Sequence, residues 1–286
     1  MRTLFHITTT KGWEQAKING RYDADTLKTE GFIHFSRPHQ VLGVADFIFK
    51  GERDLVLLQI EEEALTSELK YEGEKGNPFP HLYGPLNLDA VVEVYDFHKG
   101  GFGFHLPNEM ILVGETLIRR GRPGDEAEIA SCHTHAWQQS YRGLVPDHIL
   151  NSRPLSFCSR MKWWRQVVNG KTPASVQVAE SAHHGIVGFC AAEPARDTAM
   201  QGKGEIGALY CLNEYKSKGI GAALFRAGCD HLRKLGFPAV YVWVLKDNPS
   251  VSFYRHMGGT QLPEEKLINL GGPLPEIAFE WNLSEN

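Results

Sequence analysis

The feature that most constrains this chain is a strand, a short basic loop with two glycines and a helix, which follow one another directly. Residues 204–211 (GEIGALYC) predict a strand, and residues 219–236 place apolar side chains at helical spacing before a closing glycine. The loop and first turn read Lys216, Ser217, Lys218, Gly219, Ile220, Gly221, Ala222. Bare glycine backbone and the unpaired N–H groups of a helix start suit an anion such as a pyrophosphate.

The residues beyond this helix make the pattern more specific. A tight strand–helix turn would need the same glycines, and the loop lacks both the Lys-Ser/Thr ending of a P-loop and the third glycine of a Rossmann turn. However, a strongly apolar strand follows at 239–245, then Asn248-Pro249-Ser250, and Tyr254 six residues after the asparagine. With this order of motifs, residues 115–283 resemble the GCN5-related N-acetyltransferase (GNAT) family.

The resemblance implies a fold, a cofactor and a set of roles. It implies an acyl-CoA N-acyltransferase fold that uses acetyl-CoA, with backbone groups of Leu209, Tyr210 and Cys211 on the pantetheine arm and the acetyl carbonyl. The loop from Lys216 to Ala222 would hold the pyrophosphate, and Asn248 would contact the cofactor near the pantetheine arm. Tyr254 matches the general acid that protonates the leaving thiolate. Two departures are Lys216, where Gln or Arg is usual, and the His-Met-Gly-Gly that follows Tyr254.

Acetyl transfer also requires a base and a pocket for the amine that accepts the acetyl group. A lysine-like amine has a pKa of about 10.4 and must lose a proton before it attacks. Glu205, at the start of the strand beside the acetyl site, is the candidate base, and an exposed strand-end carboxylate is the alternative. Trp137 and Tyr141 are candidates for acceptor binding, with core packing as the alternative. No metal is expected: Cys132, His133 and His135 point apart on one helix.

The first half of the chain reads as a separate α+β domain. Short apolar strands alternate with helical segments that end at glycine. Period-two alternation places polar side chains on one face of several strands, which indicates either a solvated face or a lined cleft. The candidate pocket residues are His6, Thr8, His34, Ser36, Tyr71, His81 and Tyr83.

This half also resembles a known family. FHITT, EGFIHFS, DLVLLQI and FPHLYGPL, within residues 3–107, are similar to the bacterial domain of unknown function 952. That family is distantly similar to the ADP-ribosyltransferase fold, in which a histidine on the first strand helps to hold NAD. The resemblance would give such a role to His6 and His34.

Composition sets the remaining limits. The two predicted domains are residues 1–110 and 115–286, joined near Pro107–Gly114. Residues 1–110 carry 11 basic and 17 acidic side chains, against 19 and 17 in residues 111–286, which argues against nucleic-acid binding. Five widely spaced cysteines favour a reducing cytoplasm, and no segment predicts a membrane span or a signal peptide.

The leading hypothesis is a two-domain cytoplasmic enzyme that transfers acetyl from acetyl-CoA to a small-molecule or peptide amine by direct attack in a ternary complex. In this hypothesis the first domain is an accessory or ligand-binding domain. The alternatives are a non-catalytic acyl-CoA-binding module and an NAD-using transferase in the first domain. The acceptor and the oligomeric state stay open.

Overall fold

The structure is a computed structural model that describes residues 2–73, 76–100, 103–107, 110–151 and 156–284. The chain divides into two compact units, Met1–Leu117 and Ile118–Asn286. Asn108 and Glu109, within the segment where the domain join is predicted, lie outside the described residues.

The first unit consists of small antiparallel sheets and three helices. Its strands are β1 (Thr3–Thr9), β2 (Arg21–Tyr22), β3 (Ile33–His34), β4 (Leu55–Glu61), β5 (Glu68–Glu72), β6 (Phe79–Tyr83), β7 (Leu86–Asn87), β8 (Val91–Phe97), β9 (Lys99–Gly100) and β10 (Gly103–Phe104). Its helices are α1 (Thr10–Asn19), α2 (Asp25–Thr29) and α3 (Val41–Ile48). The sheets have the orders β1-β4-β8, β3-β6-β5, β2-β7 and β10-β9.

The central strand of the first unit is buried on both faces. In β4 the six residues Leu55–Ile60 are all buried, because the strand has a neighbour on each side and apolar clusters on both faces. Helix α1 begins where the Thr9 side chain accepts a hydrogen bond from the Gly12 amide, and it ends at Gly20 in the left-handed region (φ 73°). The predicted α+β class is therefore what the structure shows.

The second unit contains a large mixed sheet with helices on both faces. The strands of its sheet are β12 (Thr116–Arg120), β13 (Ser175–Ser181), β14 (Gly185–Pro194), β15 (Gly204–Cys211), β16 (Ala239–Leu245), β17 (Thr260–Asn269) and β18 (Pro273–Asn282), in the order β12-β13-β14-β15-β16-β18-β17. Strand β11 (Ile111–Val113) precedes the division at Leu117 and belongs to the first unit. The helices are α4 (Glu126–Tyr141), α5 (Asp147–Leu150), α6 (Phe157–Val168), α7 (Ile220–Lys234) and α8 (Ser250–His256).

Alternation along β14 separates the two helical layers. Phe189 and Ala191 belong to the apolar cluster that holds α4 and α6. Cys190 faces α7, where a Cβ on Gly228 would lie 2.7 Å from its sulfur. Successive side chains of a strand point to opposite faces, so α7 covers the face of the sheet opposite α4 and α6. The missing side chain of Gly228 is what allows α7 to approach this closely.

Candidate active site

The central feature of the second unit is an opening between two parallel strands. β15 and β16 pair only at Gly204–Val240 and Glu205–Tyr241, although β15 continues to Cys211 and β16 to Leu245. On its other side β15 pairs with β14 along its length, with an irregularity after Ala191. Beyond Glu205, peptide groups of β15 therefore face an opening without a strand partner among the described residues, and an extended ligand could add there as a strand does.

Leu209, Tyr210 and Cys211 lie on this unpaired part of β15, opposite Cys190, Phe189 and Gly188 of β14. The sequence resemblance places the pantetheine arm against these three residues. They lie beside the opening because β15 and β16 pair only at Gly204–Val240 and Glu205–Tyr241 and diverge beyond those residues.

The start of α7 presents free backbone amides. Its N-cap is Gly219, in the left-handed region (φ 83°), and Ser217 also has a positive φ of 60°. Because Gly219 has no side chain, it cannot accept hydrogen bonds from the N–H groups of Gly221 and Ala222 as a serine or aspartate would. Left-handed residues in a loop turn successive amides towards one concave side, an arrangement that binds anions. Lys218 Nζ lies 5.1 Å from the centre of the Tyr215 ring.

Asn248 and Tyr254 lie at the start and near the end of the short helix α8. Asn248 is buried, and its Oδ1 accepts a hydrogen bond from the Ser250 amide at 2.8 Å. That bond fixes the helix start and leaves the Nδ2 group as the donor for a ligand. Tyr254 is buried against the rings of Phe279 and Phe253.

Three phenol groups meet near this opening. The Tyr210 hydroxyl donates to the Tyr141 hydroxyl at 3.4 Å, and the Tyr254 phenol interacts electrostatically with both. Burial raises the pKa of all three side chains, so each stays protonated at neutral pH. The Trp137 ring packs on Tyr141 with 4.1 Å between ring centres. Tyr141, one of the two residues predicted for the acceptor side, is therefore within electrostatic range of the predicted acid, and Trp137 packs on Tyr141.

Glu205 lies at the point where β15 and β16 separate. Its Oε2 accepts hydrogen bonds from the Tyr241 hydroxyl (2.7 Å) and the Arg196 amide (3.0 Å), and its Oε1 accepts from the Arg196 guanidinium. Burial alone would raise the pKa of this carboxyl, but these hydrogen bonds hold it below its usual value. The carboxylate is only 4% exposed, so the predicted alternative, an exposed strand-end carboxylate, is wrong.

A second carboxylate near the opening was not singled out from the sequence. Glu276 on β18 pairs in register with Leu245, the last residue of β16, and interacts electrostatically with Tyr141. Burial raises the pKa of Glu276, and its ion-pair contact with Lys266 is long, at 3.6 Å. No local pattern marks this residue, because its position depends on pairing with a strand about thirty residues earlier.

The first unit contains a cavity of about 1100 Å³, lined among others by His6, Thr8, His34, Ser36 and His81. The side chains predicted on one face of β1, β3 and β6 therefore do meet at one cavity. Tyr71 and Tyr83 are not part of the lining, which corrects that part of the prediction.

Strand alternation and side-chain reach explain the two exceptions. Glu72 lines the cavity, so its neighbour Tyr71 points to the other face, where its hydroxyl donates to Glu62 at 2.6 Å. The Tyr83 hydroxyl donates to Glu72 at 2.8 Å and stays behind that carboxylate.

The histidines of the cavity have defined partners. Nδ1 of His6 donates to the His34 carbonyl at 2.7 Å, and its Nε2 lies 2.9 Å from the Tyr22 hydroxyl. Burial lowers the pKa of His6 to about 4, so the ring is neutral at pH 7. His34 and His81 contact Glu30 and Glu72, each at 3.0 Å. Within the part of the chain that is described, no three potential ligands are grouped as a metal would require.

Comparison with known protein families identifies both units. Residues 134–258 match the model of the acetyltransferase (GNAT) family, and residues 7–94 match that of the protein of unknown function DUF952. The second unit is a GNAT acetyltransferase domain. This confirms the predicted fold, the predicted N-acetyltransferase activity and acetyl-CoA as its acetyl donor.

Individual relatives cover each unit of this chain separately. The uncharacterized N-acetyltransferase YuaI of Bacillus subtilis (strain 168) is 29% identical over 164 residues, which span 57% of this chain and 91% of YuaI. Protein CC0527 of Caulobacter crescentus is 35% identical and spans 36% of this chain and 91% of that protein, with a TM-score of 0.34. The structure of yncA from Salmonella typhimurium with acetyl-CoA is 19% identical over 60% of this chain and 96% of yncA, with a TM-score of 0.48.

Among the described residues, no helix has both the length and the apolar composition needed to cross a bilayer.

Proposed function

We propose that this protein transfers an acetyl group from acetyl-CoA to a primary amine by direct attack in a ternary complex. The observation that supports this most is the opening between β15 and β16, which has an unpaired strand edge along one side. In the reaction the amine nitrogen attacks the thioester carbonyl carbon, the C–S bond breaks, the thiolate takes up a proton and the amine loses one.

The cofactor contacts follow from donors that the fold leaves free. Peptide groups of Leu209, Tyr210 and Cys211 bind the pantetheine arm, and the Asn248 amide group contacts the same part of the cofactor. The pyrophosphate binds the amides of Ser217–Ala222, with Lys216 and Lys218 balancing its charge. The uncapped helix start and the two positive φ angles support this assignment.

Tyr254 is proposed as the general acid. Its raised pKa keeps the phenol protonated until the thiolate forms, and burial beside Tyr141 and Tyr210 keeps it near the acceptor side. We expect Tyr254→Phe to lower kcat about 10²- to 10⁴-fold, because general acid catalysis contributes on that order. Acetyl-CoA affinity, measured by calorimetry, should not change. Unchanged turnover would exclude Tyr254 as the acid.

The general base is the group that takes the proton from the attacking amine. Glu205 was predicted for this role, but its oxygens already accept hydrogen bonds from Arg196 and Tyr241, which protonation would weaken. This arrangement favours a positioning role for Glu205, in which it fixes the point where the strands diverge. Glu276, with a raised pKa and a position near Tyr141, is the better placed acceptor of the amine proton.

The acceptor binds on the side of Trp137 and Tyr141, which pack on each other and reach Tyr210. A non-catalytic acyl-CoA-binding module would keep the cofactor contacts and lack turnover with every amine. Turnover assays separate these two functions. The five cysteines are unpaired in the structure, which supports a reducing cytoplasm as the location.

We further propose that the first unit binds a small ligand in its cavity. Charge argues against the alternative of NAD: among the described residues, the lining includes four carboxylates, Asp23, Asp25, Glu30 and Glu72, and one guanidinium, Arg21. A pyrophosphate would be repelled by this lining, whereas a neutral or cationic ligand would not. Calorimetric titration of the full chain with millimolar NAD tests this, and tight NAD binding that His6→Ala abolishes would restore the alternative.

The experiment that tests the main proposal is thermal unfolding of the full chain with and without acetyl-CoA. At one hundred times Kd the second unit should gain about 2.7 kcal/mol, or roughly 5–11 °C. Gly221→Val should abolish this shift, because its branched side chain would enter the space of the pyrophosphate.

Gly221→Ala is the matched variant for the fold. A Cβ at this position meets nothing closer than Phe253, at 3.7 Å, so the protein itself tolerates it. Alanine also suits a helix better than glycine. No shift for the wild-type chain, or an unchanged shift for Gly221→Val, would overturn the proposed cofactor site.

A further inference from the structure

A buried positive charge in the second unit has no hydrogen-bond partner among the described residues. The Arg160 side chain on α6 is only 5% exposed, and its Nε, Nη1 and Nη2 atoms donate to none of those residues. Its guanidinium carbon lies 5.6 Å from the centre of the Trp137 ring. The indole Nε1 of Trp137 is also buried and unpaired. Two side chains in contact thus bury four donor nitrogens without an acceptor.

The groups around Arg160 do not balance its charge. His133 is kept neutral, since burial and the nearby Arg160 lower its pKa to about 3. Burial lowers the pKa of Arg160 to about 10, so it is still a cation at neutral pH. The Tyr210 phenol favours the charged form only when ionised, and its raised pKa keeps it neutral. A buried cation without an anion or acceptors is strongly unfavourable, and a contact with an aromatic face does not replace the hydrogen bonds that five N–H groups could donate.

Arg160 is close to the acceptor side of the opening. Arg160 and the Tyr254 phenol both interact electrostatically with the Tyr210 phenol and shift its pKa. The Tyr210 hydroxyl donates a hydrogen bond to Tyr141. Trp137, the other unpaired donor, packs on Tyr141. One cluster of rings therefore connects the unpaired donors to the proposed general acid.

We propose that Arg160 and the indole N–H of Trp137 bind an anionic group of the acceptor, so that the substrate is an amine that also carries a carboxylate or a phosphate. This inference rests on the acetyltransferase function proposed above. A planar guanidinium offers two parallel N–H donors to a carboxylate or phosphate, and the indole adds a third. Because these nitrogens are covered in the free structure, binding requires a neighbouring side chain to move.

The test measures kcat/KM of the full chain with matched pairs of amines. Amino acids are compared with their carboxamides, and aminoalkyl phosphates with the corresponding amino alcohols, so that each pair differs only in the anion. We expect the anionic member of at least one series to be preferred about ten- to hundredfold, as for hydrogen bonds to a charged group. The series that shows the preference distinguishes carboxylate from phosphate.

Variants assign the preference to the site. Arg160→Met should remove it, and Arg160→Lys should keep part of it because the charge is retained without the planar donor pair. Arg165→Met is the matched control on the same helix, since Arg165 is exposed and contacts Glu126 at 3.2 Å. This control should keep the full preference. Circular dichroism and thermal unfolding verify that each variant is folded.

The outcomes separate the two proposals. Equal kcat/KM for anionic and neutral amines, or a preference that survives in folded Arg160→Met, would overturn the anion site and leave the acetyltransferase intact. Turnover with none of the amines would contradict the proposed function. In that case thermal shifts with the same pairs decide the anion site alone: stabilisation by the anionic member in the wild type but not in Arg160→Met supports it, and no difference overturns it.

Discussion

The second unit buries two arginines in opposite ways. Arg119, at the end of β12, is 4% exposed and has carboxylates on both sides. Its Nε donates to Glu180 at 2.6 Å, and Nη1 and Nη2 donate to Asp125 at 2.6 and 2.9 Å. Arg160 is buried to the same degree, and its guanidinium has no acceptor within the part of the chain that the structure describes.

The difference indicates what each arginine does. The Arg119 cluster joins β12, β13 and the start of α4, and every charge in it has a partner within the fold. Such a group needs nothing from outside. Arg160 lacks this internal compensation, so its charge stabilises the folded state only when an external anion supplies the missing acceptors.

The largest expected effect is on stability, at Arg119. Arg119→Met would leave the Asp125 and Glu180 carboxylates buried without a cation, at a cost of about 3–5 kcal/mol. For a unit of this size the melting temperature should fall by roughly 6–20 °C. Thermal unfolding of the full chain measures it, with Arg165→Met as a control that should change little. A loss no greater than that of Arg160→Met would contradict the comparison.

Two glutamates extend the comparison from charge to catalysis. Glu276→Gln should lower kcat/KM about 10²-fold or more if it accepts the amine proton, with little change in stability. Glu205→Gln should mainly lower stability, by about 1–3 kcal/mol, because it weakens the bonds from Arg196 and Tyr241. The pH–rate profile decides between them. Loss of its acidic limb in Glu205→Gln, but not in Glu276→Gln, would return the base role to Glu205.

In the first unit, both ring nitrogens of the half-buried His6 contact a partner. Its folded pKa of about 4 lies below the 6.5 of an unfolded histidine, so the unfolded chain binds a proton first as pH falls. Stability should therefore be constant above pH 6.5 and decrease between pH 6.5 and about 4 by about 3 kcal/mol. Urea unfolding at several pH values measures this, and His6→Gln should remove that part of the pH dependence. An equally steep decrease in the variant would assign it to other groups.

The smallest expected effect is the one that most sharpens the comparison. Without ligand, Arg160→Met should leave the melting temperature unchanged or raise it by a few degrees, since an apolar side chain of similar volume needs no acceptor. Exchange of arginine for methionine should therefore lower the melting temperature at Arg119 and should not lower it at Arg160, although the two side chains are equally buried. A fall as large as that of Arg119→Met would show that Arg160 is compensated within the fold.

Local sequence determined the elements of the site. The strand, the glycine loop, the helix and the Asn248–Tyr254 spacing lie within about fifty consecutive residues, and each depends on local causes such as apolar periodicity, bare backbone and helix capping. The alternation of polar residues in LFHIT and GFIHFS likewise predicted that His6, Thr8, His34 and Ser36 share a cleft, and all four line the cavity of the first unit. Such patterns are set by backbone geometry, so they can be found without knowledge of the tertiary structure.

Only the tertiary structure decided which polar groups have partners. Tyr241, which donates to Glu205, is 36 residues away in the chain, and Trp137 meets Arg160 through the packing of α4 against α6. Helical spacing puts Arg160 on the same face of α6 as Trp164 and Val167 and puts Arg165 on another face, but nothing in the segment shows whether the Arg160 guanidinium has an acceptor. Burial and hydrogen bonding of a side chain depend on elements that are distant in sequence. Contacts with those elements decide whether a charged side chain stabilises the fold or is left with donors for a ligand.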